Sequence, residues 1–323
     1  MIMMPMSSFQ LPDPTSWAGA LLLSDLGIIQ ADGPDAANFL HGQFSQDVNS
    51  QTAQEARLAA YCSAKGRMLA SLLNVRPHAE QVLMLTDAQV LPGLLKRLSM
   101  FVMRSKVKLT DASGSLSVVG LLGSAVAVKL GDVAGVAPWG VAAARNGHLI
   151  RLPDVLGVQR WYWLGPQEEA QALLAELPAV AADAWKWLDV MSGIPRIEAS
   201  TVDQFVPQMI NFELIGGVNF KKGCYPGQEV VARSQYRGTT KRRALIAHGT
   251  TPLSPGQEIF SLADPGQPAG MVINSATVNG VHSALLELKL SALTSELRAG
   301  AADGPALTLG ALPYDLPQAE EAA

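Results

Sequence analysis

Lys221-Lys222-Gly223-Cys224-Tyr225-Pro226-Gly227-Gln228-Glu229 is the stretch from which the rest of the chain is best read. One of the two cysteines stands here, beside two lysines and between two glycines. A neighbouring ammonium stabilises a thiolate, the reactive form of cysteine. Gly223, Pro226 and Gly227 are turn formers that bend the backbone around the sulfur. A loop cysteine under positive charge points to chemistry. The alternative is a buried structural thiol, the commoner state of a lone cysteine.

Working outward, a series of motifs flanks this loop. Gly193-Ile194-Pro195-Arg196, Phe205-Val206-Pro207-Gln208, Asn211, Gly216-Gly217 and Phe220 precede it, and Val230-Val231-Ala232-Arg233 follows. Earlier come Phe39-Leu40-His41-Gly42-Gln43 with Asp47-Val48, and Ala64-Lys65-Gly66-Arg67; Leu312-Pro313-Tyr314 closes the series. Over about residues 20–315 this series resembles the YgfZ-type folate-binding proteins, distant relatives of the glycine-cleavage T protein, an aminomethyltransferase. The resemblance implies a clover-like arrangement of three domains around a central channel. It also implies a bound tetrahydrofolate or related folate, and an accessory role in the assembly, repair or activity of Fe-S enzymes, tRNA-modifying ones included.

Composition sets the outer bounds. The 323 residues suggest two or three domains, and 48% hydrophobic content is ample for packed cores. Charged content of 16% and a net charge of -4 exclude a protein that coats nucleic acid. Cys62 and Cys224 lie too far apart in sequence to read as a disulfide framework, which fits a reducing compartment. The N-terminus lacks the basic and apolar regions of a signal peptide. The apolar run Val118–Leu130 is too short to span a bilayer. The expectation is a soluble, cytoplasmic protein with no membrane partner.

The hydrophobic pattern predicts an α+β protein: two ferredoxin-like units followed by a β-barrel. Residues 1–19 read as a loose leader. Residues 20–240, the region that the resemblance implies binds folate, hold two units, about 20–115 and 116–240, which can interleave. Residues 241–315 are the barrel and 316–323 a tail, with Arg237-Gly238 to Arg243 as the domain boundary. Leu21–Gln30 reads as a strand pair or bent strand. Asp32-Gly33-Pro34 starts a helix. Leu58–Cys62 and Met68–Val75 form a hairpin across Ala64-Lys65-Gly66. Asp87 caps a helix carrying Val90, Leu91, Leu94, Leu95, Leu98 and Phe101 on one face. Helices are expected at Gln167–Leu177 and Ala182–Met191. After Lys241, five short β-like runs separated by Pro/Gly turns mark the barrel.

Charge gathers at residues 219–243, where Lys221, Lys222, Arg233, Arg237, Lys241, Arg242 and Arg243 face only Glu229. Such a field attracts an anion, either a folate's glutamate tail or a tRNA phosphate. The histidines show no ligand spacing, so no zinc site is read, and two cysteines are too few for a conventional Fe-S cluster. No tightly held metal is expected. The preferred reading makes Cys224 the reactive thiol, with Lys222 stabilising its thiolate and Lys221 adding charge. Gln228 and Glu229 orient the loop. Arg233 pairs with a ligand anion, and Tyr225, Asn211 and Gln208 are further candidate folate contacts. The resemblance places Trp185 at a folate-contacting position. Leu26 stands where a second aromatic is expected. Ala70 and Ser71 stand where the T protein carries an aspartate pair. Neither offers a carboxylate to hold or move a proton at neutral pH, which argues against T-protein-type aminomethyl transfer. A folate-dependent one-carbon transferase and an RNA-binding module are the rival readings.

Overall fold

The computed structural model describes residues 10–131, 133, 135–236 and 240–317. Residues 1–9 of the leader, the boundary residues Arg237 and Gly238, and the tail from 318 lie outside that range. The elements of the first half are β1 (Gly19–Leu22), β2 (Leu26–Asp32), α1 (Ala36–His41), β3 (Ala56–Cys62), β4 (Met68–His78), β5 (Gln81–Asp87), α2 (Leu91–Val102) and β6 (Lys108–Asp111). They continue with β7 (Leu116–Leu122), α3 (Ser124–Val128), β8 (Val141–Ala144), β9 (Gly147–Arg151), β10 (Arg160–Pro166), α4 (Gln167–Glu176), α5 (Ala182–Met191) and α6 (Gln228–Tyr236). Six strands follow: β11 (Arg242–Gly249), β12 (Glu258–Ser261), β13 (Gly270–Val278), β14 (Val281–Lys289), β15 (Leu297–Ala299) and β16 (Ala306–Leu309).

Two antiparallel sheets and a closed barrel result. One sheet has the order β3-β4-β5-β2-β6 and the other β1-β7-β10-β9-β8. Within the first, β2-α1-β4-β5-α2-β6 is a ferredoxin-like βαββαβ unit, with β3 added at the edge. The second repeats that plan with β7, β9 and β10, but its fourth strand is β1 from the chain's start. The expected pairing or bending within Leu21–Gln30 is therefore corrected: β1 and β2 serve different sheets. After α4 the chain runs on into α5 instead of returning as a strand, and β1 takes the place left open. Ala20 N–H donates to Pro178 O (2.8 Å), and Val180 N–H donates to Ala20 O (2.9 Å).

β5 shows why these sheets read as continuous apolar runs. Val82 and Met84 pack against the helices, while Leu83 and Leu85 enter the cluster shared by the whole molecule. Asp87 Oδ1 accepts the N–H groups of Gln89 (3.0 Å) and Val90 (3.3 Å) at the start of α2. Leu91, Leu94 and Leu98 of that helix are buried, but Phe101 in its last turn is 48% exposed, outside the expected apolar face.

Helix α5 ties the units together. Trp185 and Trp187, two positions apart, point to different sides, and both are core residues. Trp187 Nε1 donates to Ser283 Oγ on β14 (3.0 Å). Trp185 packs closely on β7 because position 120 is glycine; a Cβ there would be 2.9 Å from its ring. The barrel closes in the order β11-β14-β13-β12-β15-β16, with β15 as a strand beyond the five expected runs. No helix among the described residues is long and apolar enough to cross a membrane.

Candidate functional site

Where both sheets and the barrel meet lies a cavity of about 380 Å³. Leu26, Leu58, Leu85, Trp139 and Tyr162 supply apolar wall, and Asp25, Asp87, Arg160, Asp189, Arg196, Glu198 and Asn274 supply polar groups. Arg196 Nη2 donates to Asp25 Oδ2 (2.7 Å), and its Nε lies 4.0 Å from Asp87 Oδ2. Asn274 fixes the same segment: its Oδ1 accepts Arg196 N–H (2.9 Å), and its Nδ2 donates to Glu198 Oε1 (2.6 Å). Arg160 is 1% exposed; Nη1 donates to Asp189 Oδ1 (2.7 Å), and its guanidinium lies 5.5 Å from the centre of the Trp185 ring. Its buried Nε–H has no hydrogen-bond partner among the described residues.

Burial pushes the Asp87 and Glu198 carboxyls above their ordinary values, against the pull of Arg196 on Asp87 and of the Asn274 hydrogen bond on Glu198. Burial likewise raises the Tyr162 phenol. Ser71 lines the cavity and its Oγ accepts Ile197 N–H (2.9 Å), which holds the Arg196–Glu198 segment in place. Ala70 faces the helices. So β4 brings no carboxylate, but neighbouring elements bring Asp25, Asp87 and Glu198.

Of the candidate folate contacts, Leu26 lies on the cavity wall. Trp185 does not: it is 1% exposed and packs behind Tyr162, their ring centres 5.7 Å apart. Asn211 and Gln208 are buried elsewhere. Asn211, in the left-handed conformation at φ 60°, donates to Ala244 O (2.9 Å), and Gln208 Nε2 donates to Val231 O (2.8 Å). Tyr225 is buried in the cysteine loop, and Arg233 is exposed on α6. Arg160, Arg196, Asp25, Asp87, Glu198, Asn274 and Tyr162 were not singled out from the sequence as site residues. Arg196 stood at the end of the Gly193–Arg196 motif, and Asp87 was read only as a helix cap.

The cysteine loop is a second locus, and none of its residues lines the cavity. It sits on the β3–β4 turn and the end of α1. Gly227 has φ 79°, and a Cβ there would lie 2.3 Å from Ser63 O. This close approach brings the loop and the Ala64-Lys65-Gly66 turn together. Lys222 Nζ donates to His41 O and to Phe44 O (2.7 Å) and lies 5.1 Å from the centre of the Tyr225 ring. Burial lowers Lys222 to about 8, against the attraction of Asp47 and Cys224. Cys224 is exposed and Cys62 buried; burial pushes the Cys62 thiol up to about 12. Lys221 is exposed, with its N–H on Asn219 Oδ1 (2.8 Å). Gln228 and Glu229 open α6, a helix not expected from the sequence.

The positive field at 219–243 is smaller than the sequence implied. Arg242 Nη1 donates to both carboxylate oxygens of Glu287 (2.7 Å each), and Arg243 pairs with Glu213. These partners come from distant segments. Lys221, Arg233 and Lys241 remain as exposed cations among the described residues. No group of three or more His, Cys, Asp or Glu able to hold a metal occurs among those residues.

Comparison with known proteins gives these features a family. No protein-family model matches the chain. The tRNA-modifying protein YgfZ of Photorhabdus laumondii is 30% identical over 319 residues, covering 96% of each chain. The protein of that name from Edwardsiella ictaluri is 31% identical over 310 residues, covering 92% of this chain and 93% of its own. Among solved structures, aminomethyltransferase T of the glycine cleavage system from Bartonella henselae superposes with a TM-score of 0.74 at 16% identity, over 92% of this chain and 86% of that one. The fold is thus that of the aminomethyltransferase, and by its full-length likeness to these curated relatives the chain belongs to the YgfZ family.

Proposed function

We propose that this protein is a folate-binding accessory factor that supports Fe-S enzymes, those that modify tRNA among them. The cavity at the junction of the three units carries the reading. Its volume falls in the range of small-molecule sites, with apolar walls and a few placed polar groups. A folate combines a flat pterin, a benzoyl linker and an anionic tail. Tyr162 and Trp139 offer aromatic wall; Glu198 and Asp87 offer oxygens to ring N–H groups; the open Nε–H of Arg160 offers a donor to a ring carbonyl. Lys186, exposed on α5 at the cavity wall, suits the tail. Tetrahydrofolate or a related folate fits this donor set. The relatives' name supplies the tRNA context, and Lys221, Arg233 and Lys241 are the candidate tRNA contacts. Cys224 is the reactive thiol of the second locus, acting in the cytoplasm on transient enzyme partners. Calorimetry with tetrahydrofolate tests the ligand: saturable one-to-one binding is expected, and no binding by the folded protein overturns the reading.

One observation favours a second reading, a folate-dependent one-carbon transferase. Asp87, with its carboxyl raised by burial, lies on the cavity wall beside Ser71 and could hold or move a proton at a folate nitrogen. Turnover of a one-carbon donor by the pure protein, lost in Asp87→Asn, would establish it.

A further inference from the structure

The cysteine loop has neighbours that its own sequence does not announce. His41 ends α1, and its carbonyl is one of the two that accept from Lys222 Nζ. Its ring Nδ1 lies 2.9 Å from Asp47 Oδ1, which also accepts Ser50 N–H (3.1 Å). Burial opposes ionisation of Asp47, but the Ser50 and His41 interactions outweigh it and hold the carboxyl below its ordinary range. An ionised carboxylate only accepts, so in the neutral tautomer Nδ1 carries the proton and Nε2 is the acceptor, with no hydrogen-bond partner among the described residues. That Nε2 lies 3.6 Å from where a Cβ on Gly223 would stand, against the backbone just before Cys224.

We infer that His41 is the proton acceptor for the Cys224 thiol and that Asp47 is the residue that positions it. The inference rests on the reading of Cys224 as a functional thiol and adds the base that reading lacked. In the step, the Sγ–H bond breaks and an Nε2–H bond forms, leaving a thiolate beside an imidazolium. Asp47 stays ionised and keeps the Nδ1–H bond. Other charged and titratable groups around the loop and Asp47 are Lys222, attracted by both Asp47 and Cys224; Arg57, whose Nη1 donates to Asp47 O (2.6 Å); Tyr225, whose phenol burial raises; buried Cys62; and the exposed Lys65, Lys221 and Glu229. A nucleophile beside a base, itself oriented by a third group, is the arrangement that activates cysteine in unrelated enzymes.

The test is the rate of iodoacetamide alkylation of Cys224 in the full chain, followed by mass spectrometry from pH 6 to 10. An unassisted thiol is a few per cent ionised at pH 7 and one paired with imidazole far more, so His41→Gln should slow alkylation by about tenfold there. Asp47→Asn should slow it less. By about pH 10, above the free thiol's usual range, all three rates should converge, because the thiol ionises without help. Equal rates at pH 7 would overturn the inference. Slowing by one factor at every pH would do so too, because it would mean altered access. Complementation by Cys224→Ser is a separate measurement: its success would remove the functional thiol while leaving the alkylation result standing.

Discussion

The cavity gathers its polar groups from three structural units, whereas the cysteine loop takes its partners from the nearby ends of a single sheet's elements. In the cavity, Asp25, Arg160, Arg196 and Asn274 lie far apart in sequence and meet only when both sheets and the barrel are assembled. At the loop, α1, the β3–β4 turn and the start of α6 suffice. The electrostatics differ in the same sense. Burial raises the carboxyls of Asp87 and Glu198, while hydrogen bonds depress that of Asp47 near the surface. Changes in the cavity should therefore reach the stability of the whole protein, and changes at the loop should remain local.

The sharpest break between the two regions is Cys224→Ser. It should abolish complementation while moving stability by no more than about 0.5 kcal/mol, the usual span for an exposed position. Cys62→Ser should keep most activity; its loss would move the role to a pair of thiols. Arg160→Met should do the reverse. It strips the partner from Asp189, and because Asp189 keeps solvent contact the cost should be about 2 kcal/mol, below the 3–5 of a fully buried pair. Melting temperature and folate affinity should fall together, with Cys224 alkylation unchanged. A slower thiol in that variant would mean that the two regions are coupled.

This contrast also governs what could be read from sequence. Helix α5 falls at the bounds its pattern predicts, Ala182–Met191, because its apolar periodicity is local. The bend around Cys224 was legible from local signals too, in Gly223, Pro226 and Gly227. The assignment of β1 to the second sheet was not, since it depends on where the chain goes after α4. Helix α6 buries only Val231 and so left no periodic apolar face. Three-residue β15 is too short to carry an alternation. The charge run at 219–243 misled because Glu213 and Glu287 neutralise two of its arginines from 30 and 45 residues away. The tryptophan expected as a folate contact packs against Tyr162, and it is Tyr162 that the cavity wall carries.

That substitution of roles gives a smaller, graded prediction. If Tyr162 stacks on the ligand, Tyr162→Leu should weaken tetrahydrofolate binding by up to about tenfold, since aromatic stacking is worth roughly 0.5–1.5 kcal/mol beyond area burial. Trp187→Ala, buried against the barrel, should cost about 3–5 kcal/mol of stability and leave affinity nearly unchanged. Affinity that follows Trp187 and ignores Tyr162 would place the ligand outside the cavity.

The smallest effect separates the regions by pH. Glu198 holds its proton more tightly folded than unfolded. Its contribution to stability is therefore complete below its ordinary value of 4.5 and is lost as pH rises through the raised folded value. Glu198→Gln removes that loss, so the variant should gain on the wild type in melting temperature between pH 4 and pH 7. Asp47 has the opposite sign. Its folded value lies below the ordinary 3.8, so its contribution is present above 3.8 and disappears as pH falls through the folded value. Asp47→Asn should therefore melt below the wild type at pH 7 and converge with it in acid. Plotted as differences from wild type, the two variants should leave zero at the acid end in opposite directions as pH rises, Glu198→Gln upward and Asp47→Asn downward. Two curves on the same side would mean that the cavity carboxyl is as well solvated as the loop's. The distinction between an assembled, desolvated site and a local, hydrated one would then fail.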